Sequence, residues 1–321
     1  MLRVLLHALL LAGALGGDES IALPFQGGQA IRTAFNDRVL TAEVHDREFS
    51  FLLGGHLYGA PRDEKSVFPA ATLLANLERI DASGASFFVG LGDLFMRSNE
   101  AQMDAFVRTF TRRLAMPFFN AAGNHCVEDR ALYERRFGAP TFWSFVHGHV
   151  LFVVLDSELD VGRIAGAQLE FLREQLAYAS REASVGSVAI FSHKLIWATD
   201  RPALRIVYDH VNNQRGYRTD GSFNRDVMPA LWSLANEKPV YWFSGDVGVD
   251  WSLPLFHHRE SAADLTWIAT GLGDTAEDLL VRALVAPSGA MSFEVLRLDG
   301  APARPIDSYG LPYWLQHFGA R

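Results

Sequence analysis

The sequence predicts an α/β protein, an α+β sandwich in which helices cover the sheets of one domain. Three observations predict this class: short apolar runs alternate with amphipathic segments from about residue 49, further strand-like runs follow within 265–298, and no repeat, low-complexity tract or clear linker interrupts the chain. Hydrophobic residues make up 49% of the 321 positions, so a large core can form and intrinsic disorder is excluded.

Charge and cysteine content exclude several function classes. The formal net charge of −8 argues against nucleic acid or an anionic membrane surface as the main partner, so we expect no nucleic-acid binding. Cys126 is the only cysteine, which excludes an internal disulfide, a CxxC redox pair and a multi-thiolate zinc site. We expect Cys126 to be a small buried residue and not a nucleophile.

The first 17 residues are typical of an export signal. Arg3 supplies a positive charge, Val4–Leu11 form an apolar run broken by His7, and Ala12–Ala14 are small residues suited to cleavage. This run is shorter than the roughly 20 residues that span a bilayer. We therefore expect an exported protein, periplasmic or secreted, without a transmembrane segment; a buried N-terminal helix is the alternative.

Apolar runs predict the strands in chain order. They are Phe51–Leu53, Phe87–Val89, Phe118–Phe119, Phe142–Val146, Val150–Leu155, Val188–Phe191, Val240–Phe243 and three runs within 265–298. His147 and His149 lie at a predicted hairpin between two of these runs, and we expect them on the surface. His257 and His258 are expected to form a loop pair.

Apolar residues at helical spacing predict the helices between the strands. The predicted helices are one carrying Leu73, Leu74, Leu77 and Ile80, one after Ser98 carrying Met103, Phe106, Val107, Phe110 and Leu114, one carrying Leu169, Leu172 and Leu176, and one around Val227–Leu234. Between Trp197 and Phe223 the chain is polar and irregular, which predicts a surface insertion.

The chain is expected to contain four segments. They are a signal peptide at 1–17, an N-terminal extension at 18–48, the main domain at 49–299 and a C-terminal tail at 300–321. Aromatic residues in the tail predict that it packs on the domain edge, with an exposed interaction patch as the alternative: Tyr309, Tyr313, Trp314 and Phe318.

Residue types that bind metal ions follow five of the predicted strands. They are His56 after Gly54-Gly55, Asp93 after Gly92, Asn124 and His125 after Gly123, His193 after Ser192, and Asp246 after Gly245. In α/β folds ligands bind at the carboxyl ends of strands, because side chains converge there on one crevice. We therefore expect these side chains to line a single site.

Each of these residues also has a common structural role. A strand-end histidine such as His56 or His193 can bond to the backbone, Asp93 can cap a helix, and Asn124 can hold a tight turn. Their joint order along the chain favours a functional site over five unrelated structural roles.

That order resembles the calcineurin-like metallophosphoesterase superfamily. Its pattern is Asp-x-His, Gly-Asp, Gly-Asn-His-Glu/Asp, a lone His and Gly-His-x-His on a double-sheet sandwich. The resemblance extends from about residue 49 to 298, and in its middle it includes Tyr133, Phe137-Gly138, Ser144-Phe145, Leu155-Asp156-Ser157 and Gln168. It implies two packed mixed β-sheets flanked by helices, and hydrolysis of phosphoesters with divalent metal ions.

The resemblance also implies metal ligands. Asp93 is implied as the carboxylate that bridges two ions, and Asn124, His193 and Asp246 would complete one site, with Asp246 where the family has His. This oxygen-rich set would suit Mn, Mg or Fe; Zn is a further candidate.

The other metal site is reduced. It keeps His56 and the shared Asp93, but Gly54 replaces the family's Asp and Gly248 replaces its last His. Two protein ligands rarely hold a cation, so we expect a site remodelled toward one ion per chain. The nearest candidates for further ligands are Asp250, His257 and His258.

Three further residues receive roles through the resemblance or their position. His125 matches the residue that protonates the leaving oxygen, although Cys126 replaces the acidic residue after it. Arg97 and Lys194 lie next to metal-type residues, and we expect them to steady a phosphate through charge-assisted hydrogen bonds.

Two functions from different classes follow. The first is an exported, metal-dependent phosphoester hydrolase with a reduced, mononuclear site, acting on a phosphorylated small molecule or another phosphoester. The second is a catalytically inactive module of the same fold that serves in binding or assembly, since Gly54 and Gly248 remove metal ligands. The fold does not select a substrate among monoesters, diesters, nucleotides and phosphoproteins.

Overall fold

The computed structural model describes residues 29–58, 69–248 and 253–319. The expected signal peptide at 1–17 and the candidate ligand Asp250 lie outside these residues. The described ranges contain thirteen strands: β1 (Gln29–Arg32), β2 (Val39–Ala42), β3 (Phe49–Gly54), β4 (Phe87–Gly90), β5 (Phe118–Asn120), β6 (Trp143–His147), β7 (Val150–Val154), β8 (Ser187–Ser192), β9 (Val240–Ser244), β10 (Leu255–Arg259), β11 (Leu265–Thr270), β12 (Leu279–Val285) and β13 (Met291–Arg297).

Eight α-helices accompany the strands in the same described ranges. They are α1 (Ala71–Ala75), α2 (Leu77–Ala82), α3 (Glu100–Thr109), α4 (Arg130–Phe137), α5 (Gly166–Arg181), α6 (Arg205–Tyr208), α7 (Met228–Ala235) and α8 (Leu311–Phe318). In this part of the chain no helix combines the length and the apolar character needed to cross a membrane.

The described strands build two large mixed sheets. One has the order β10-β11-β9-β8-β7-β6, the other has the order β13-β12-β3-β4-β5, and β1 pairs with β2 in a separate hairpin. Strands β3, β4 and β5 are parallel, as are β7, β8, β9 and β11, whereas the other pairings are antiparallel. The expected sandwich of two mixed sheets flanked by helices is confirmed.

Aromatic side chains fill the space between the two sheets. The Phe51 ring on β3 lies 5.4 Å from Phe152 on β7 and 6.1 Å from Phe243 on β9, and all three residues are fully buried. Because side chains alternate along a strand, Leu52 points to the opposite face of the sheet, where the helices pack. Burying each such side chain stabilises the fold by roughly 1.5–3 kcal/mol.

Helices cover both outer faces. On the five-stranded side, residues of α1 to α4 pack with strand residues: Leu73, Leu77, Met103, Phe106 and Leu132 with Leu52, Phe88 and Phe118. On the six-stranded side, residues of α5 and α7 pack likewise: Phe171, Leu172, Leu176, Leu231 and Leu234 with Leu151, Val188 and Trp242. The amphipathic patterns therefore form the outer layers.

The carboxyl ends of the parallel strands from both sheets meet at one edge of the sandwich. A β-carbon at Gly55, just after β3, would lie 2.5 Å from Gly245 Cα and 2.5 Å from the Thr270 carbonyl oxygen. Only glycine permits the backbones of the two sheets to approach this closely. This approach brings the residues after β3, β4 and β5 against those after β8 and β9.

Three local expectations were wrong. The single helix expected through Leu73 and Ile80 is interrupted at Asn76, whose φ of −121° and ψ of 22° are not helical. His257 and His258 lie in strand β10 and not in a loop. His147 is only 7% exposed, because its ring packs 4.7 Å from Phe49, so it is not a surface residue.

The segment between Trp197 and Phe223 is irregular, as expected, but it is not confined to the surface. It forms short helical turns, among them Ile196–Ala198, Pro202–Leu204 and α6. Trp197, Leu204 and Val207 within it are fully buried and belong to the core outside the six-stranded sheet. Turns of three or four residues are too short to show a helical period, which is why the sequence pattern did not predict this packing.

The C-terminal residues pack against the six-stranded sheet. Trp314 on α8 is fully buried, and its indole nitrogen donates to the Leu255 carbonyl on β10 at 3.0 Å. Tyr309 is also buried, whereas Leu315 on the other face of α8 is 53% exposed.

Candidate metal centre

Side chains from both sheets meet at the carboxyl edge described above. Four of them form a buried cluster, called the His/Asp cluster below: His56 after β3, Asp93 after β4, His193 after β8 and Asp246 after β9. Each is at most 3% exposed. Of the five strand-end motifs expected to converge, four therefore place a side chain in one cluster.

The polar atoms of the His/Asp cluster face one another at short range. His56 Nε2 lies 3.6 Å from Asp93 Oδ2 and 3.3 Å from Asp246 Oδ1. His193 Nε2 lies 3.4 Å from Asp93 Oδ2 and 3.8 Å from Asp246 Oδ1. Each histidine nitrogen thus lies within 4 Å of an oxygen from both carboxylates.

The backbone holds these side chains in place. His56 has φ of 49° and Asp93 has φ of 53°, a left-handed conformation that residues other than glycine adopt at a cost of about 1–3 kcal/mol. The His193 Nδ1–H donates to the Leu91 carbonyl at 2.9 Å, which leaves Nε2 as the atom that faces the carboxylates. Asp93 Oδ1 accepts from the His125 backbone N–H at 3.0 Å, so Oδ2 faces the cluster.

The electrostatics of the cluster favour positive charge at its centre. Although burial opposes the shift, attraction to His193 and His56 holds the pKa of Asp93 far below its usual range. Burial likewise opposes the shift at His193, but the Asp93 and Asp246 carboxylates raise its pKa to about 9. The pKa of Asp246 is lowered, despite burial, chiefly by His193. Two buried carboxylates therefore stabilise a cation beside them.

The geometry of the cluster fits one divalent metal ion. His193 Nε2 is buried and has no hydrogen-bond partner among the described residues, so it can bind a metal ion that displaces its proton. A tetrahedral site with metal–ligand distances of 2.0–2.2 Å has ligand–ligand edges of about 3.3–3.6 Å. The separations of 3.6 and 3.4 Å between Asp93 Oδ2 and the two histidine nitrogens come close to these edges. The ligand atoms of His56, Asp93 and His193 all lie within 4.8 Å of one another, and Asp246, outside this set of three, lies 3.3 and 3.8 Å from the same two nitrogens.

Asn124, the other expected ligand, has its amide oxygen bonded to a lysine. Lys194 Nζ donates to Asn124 Oδ1 at 3.1 Å and forms an ion pair with Glu158 Oε1 at 3.0 Å. The Lys194 side chain is fully buried and that of Glu158 is 6% exposed. The ammonium that was expected to steady a phosphate is thus enclosed between an amide oxygen and a carboxylate.

The 197–223 segment closes the same side of the site. The Tyr217 hydroxyl donates to Asp246 Oδ2 at 2.8 Å and accepts from the Leu195 backbone N–H at 3.0 Å. The Asn212 N–H donates to the Asp246 carbonyl at 3.2 Å. These bonds hold Asp246 with Oδ1 directed at both histidines, so the insertion orients a member of the cluster.

His125 lies at the more open side of the site. Its Nδ1 donates to the Met96 carbonyl at 2.9 Å, and Glu128 Oε1 lies 3.8 Å from the same nitrogen. This bond to the backbone selects the tautomer in which Nδ1 carries the hydrogen. Arg97 pairs with Glu128 at 3.0 Å, and 66% of its side chain is exposed at the rim.

Cys126 is fully buried, as expected for a structural residue. Burial, with a contribution from Asp93, raises the pKa of its thiol to about 12, so the thiolate is strongly disfavoured. The candidate extra ligands His257 and His258 do not join the site: His257 Nδ1 lies 3.2 Å from Asp307 Oδ1, and His258 Nε2 lies 3.9 Å from Glu260 Oε2.

Sequence reasoning missed two residues of the site. Glu158 follows strand β7 at the same carboxyl edge, and its place after Leu155-Asp156-Ser157 was a usable signal. Tyr217 lies in the irregular segment, where no pattern in the sequence marks it. Its contact with Asp246 depends on how that segment folds back over the site.

The fold matches solved phosphatase structures. One is a purple acid phosphatase from yellow lupin (Lupinus luteus) seeds, with 12% sequence identity and a TM-score of 0.58 over 83% of this chain and 54% of that chain. This chain therefore spans about half the length of the lupin protein. Another is a dimetal phosphatase from Danio rerio, with 12% identity and a TM-score of 0.48 over 78% of this chain and 99% of that chain.

The lupin match establishes the fold and no more, given its low identity. This chain has the calcineurin-like metallophosphoesterase fold, in agreement with the resemblance of its motifs. No family model and no curated protein matches the chain.

Proposed function

We propose that this protein is an exported, metal-dependent phosphoester hydrolase that uses one divalent metal ion per chain. The observation that carries the proposal is the His/Asp cluster, in which His56, Asp93 and His193 offer ligand atoms that all lie within 4.8 Å of one another. Asp246 adds a fourth donor. The cluster lies at the edge of the sandwich where α/β folds bind ligands.

His56, His193, Asp93 and Asp246 are the residues that would hold the ion. Two nitrogen and two oxygen donors suit Zn, Mn or Fe better than Mg, which prefers oxygen ligands and water. A divalent ion bound there supplies Lewis acidity toward a phosphoryl oxygen and lowers the pKa of a bound water. Tyr217 acts as a positioning residue, because its hydroxyl fixes the direction of the Asp246 carboxylate.

Other side chains at the site would handle the substrate. With Nδ1 of His125 bonded to the Met96 carbonyl, Nε2 is the atom that can carry a proton to the leaving oxygen. Arg97 at the rim can donate to a phosphate oxygen, although it must then share its guanidinium with Glu128. Both residues lie on the five-stranded side of the crevice, next to Asp93.

The substrate class and the location complete the proposal. A phosphorylated small molecule or another phosphoester is the substrate, as expected from the phosphatase fold. The export signal within residues 1–17 supports a periplasmic or secreted location. Expression with and without these residues, followed by fractionation of the culture, tests the location.

Metal analysis and hydrolysis of an aryl phosphate test the activity. The purified chain is expected to retain one transition-metal ion and to hydrolyse the ester. His193→Ala is expected to lose both, because His193 Nε2 is a cluster donor. His149→Ala is the matched control, since His149 lies in the hairpin at the far end of the sheet and pairs with Asp46 at 2.7 Å.

Unaltered turnover in the His193→Ala variant would contradict the proposal. The alternative function, an inactive binding or assembly module, is favoured by one observation: the oxygen of Asn124, an expected metal ligand, accepts a hydrogen bond from Lys194. That alternative predicts metal at background level and no hydrolysis. One tightly held ion per chain, with turnover that scales with its occupancy, would exclude it.

A further inference from the structure

We propose that the ammonium of Lys194 is a built-in cation that takes the place of a second metal ion and limits the site to one. The proposal rests on the proposed function only for the first ion. It concerns the stoichiometry of the site and assigns a role to Lys194, Glu158 and Asn124.

The first observation is the set of oxygen atoms around the ammonium. Lys194 Nζ contacts the amide oxygen of Asn124 at 3.1 Å and the carboxylate of Glu158 at 3.0 Å. Amide and carboxylate oxygens are ligands that hard divalent cations take in proteins. Asn124 is also a residue that the motif order implies as a metal ligand, so the ammonium uses an oxygen that would otherwise be free to bind an ion beside the His/Asp cluster.

The second observation is the lack of space around Lys194. Its side chain is fully buried. A β-carbon at Gly216 in the 197–223 segment would lie 2.8 Å from Lys194 Nζ, and the Tyr217 ring centroid lies 5.5 Å from it. The Lys194 backbone N–H donates to Ser157 Oγ at 3.1 Å. The ammonium is therefore fixed in place and enclosed by the irregular segment.

The third observation is the charge of the buried groups. Lys194 already places one positive charge 3.0 Å from the Glu158 carboxyl group. A second divalent ion on the Asn124 and Glu158 oxygens would lie beside this ammonium, and like charges repel strongly where water is excluded.

The fourth observation concerns the two glycines that replace metal ligands in the motif order. A β-carbon at Gly54 would lie 2.7 Å from Leu280 Cδ2 and 3.2 Å from Leu57 Cδ2, so that position faces apolar side chains. Gly248 has φ of 102°, and a β-carbon there would collide with the Gly271 carbonyl. Neither position can accept the missing ligand without a change in its surroundings.

Loading with Mn²⁺, followed by metal analysis and electron paramagnetic resonance, tests the proposal. The wild-type chain is expected to bind one Mn²⁺, with the spectrum of an isolated ion. Lys194→Ala frees the Asn124 and Glu158 oxygens, so it is expected to bind two ions. Two ions about 3.5–4 Å apart give an exchange-coupled spectrum. Lys194→Arg retains a cation and is expected to bind one.

Asn124→Ala provides a second test that does not require the Lys194→Ala variant to fold. Its oxygen contacts Lys194 in this structure, so the variant is expected to bind one Mn²⁺ as tightly as the wild-type chain. Two ions in the wild-type chain, one ion in a folded Lys194→Ala variant, or loss of the ion in Asn124→Ala would each overturn the proposal. One bound ion without hydrolysis would contradict the proposed function alone.

Discussion

Two close pairs of histidines lie at opposite ends of the same sandwich, and their surroundings differ. At the carboxyl edge, the rings of His56 and His193 are 5.7 Å apart and both face Asp93 and Asp246. At the other end, the rings of His45 and His147 are 4.8 Å apart, and their Nε2 atoms are 3.4 Å from each other. Proximity of two histidines is thus common to both ends.

The acid–base properties of the two ends are opposite. Carboxylates raise the pKa of His193 to about 9, whereas burial, reinforced by His45, lowers the pKa of His147 to about 4. His147 and His193 are both buried, so burial alone does not decide the outcome. The carboxylates make one end a site that favours a cation, and the other end favours neutral rings. The aspartates, more than the histidines, therefore distinguish the candidate metal centre from the other end of the sandwich.

The largest effect is expected when the Asp93 carboxylate is removed from the His/Asp cluster. Asp93→Asn keeps the shape of the side chain but removes the charge that both histidines face. Metal binding is expected to weaken by more than about 100-fold, since loss of a residue that only orients a ligand already costs about 10–100-fold. Competition with a chelator measures the affinity.

Asp46→Asn is the matched control for this substitution. Asp46 pairs with His149 Nε2 at 2.7 Å in the hairpin at the other end, and 89% of its side chain is exposed. Its loss is expected to leave metal affinity unchanged. If both variants bound metal as the wild-type chain does, the carboxylates would not distinguish the two ends.

The second largest effect is a loss of folding stability at low pH, and it arises at the end of the sandwich that contains His147. In the folded protein the pKa of His147 is about 4, below its ordinary value of 6.5, so the unfolded chain binds the proton more readily between these two pH values. Stability contributed by neutral His147 is present above pH 6.5 and is lost as the pH falls toward 4. The loss is on the order of 2 kcal/mol.

Denaturant unfolding of the metal-free protein at pH 7.5 and pH 4.5 measures this loss. His147→Asn is expected to reduce the difference between the two pH values. His149→Asn is the control in the same hairpin and should change the difference in the opposite direction, because the hydrogen bond that His149 donates to Asp46 raises the pKa of His149. Equal pH dependence in wild type and His147→Asn would remove this contrast between the ends.

The sequence predicted the layers of the fold well, because their periodicity follows from burial. Strands such as β3 and β8 are continuous apolar runs, since both of their faces are covered, and α5 shows a clear apolar stripe. The edge strand β10 is half polar, and its residues His257 and His258 therefore predict a loop and not a strand. An edge strand has one unpaired side and tolerates polar residues, so its pattern is weak.

The candidate site was predictable only where residues follow strands directly. His56, Asp93, His193 and Asp246 follow strand ends, so topology alone brings them together. The partner of Lys194 is Glu158, and that pairing depends on where a long side chain extends inside the crevice. Such contacts arise from tertiary packing and leave no periodic trace in the sequence.

The smallest effect is expected when the Tyr217 hydroxyl, which orients the Asp246 carboxylate in the His/Asp cluster, is removed. Tyr217→Phe removes the 2.8 Å bond to Asp246 Oδ2 but keeps the ring that packs beside Lys194. Metal affinity is expected to fall by about tenfold, the lower end of the range for residues that orient a ligand. Tyr241→Phe is the control, because the Tyr241 hydroxyl accepts from the Met291 N–H at 3.0 Å and Tyr241 is the second residue of β9, at the end of the strand opposite the site. Competition with a chelator measures the metal affinity of both variants. A loss of affinity confined to Tyr217→Phe means that the direction of the Asp246 carboxylate sets the affinity. An equal loss in both variants would mean that removing either tyrosine hydroxyl destabilises the fold.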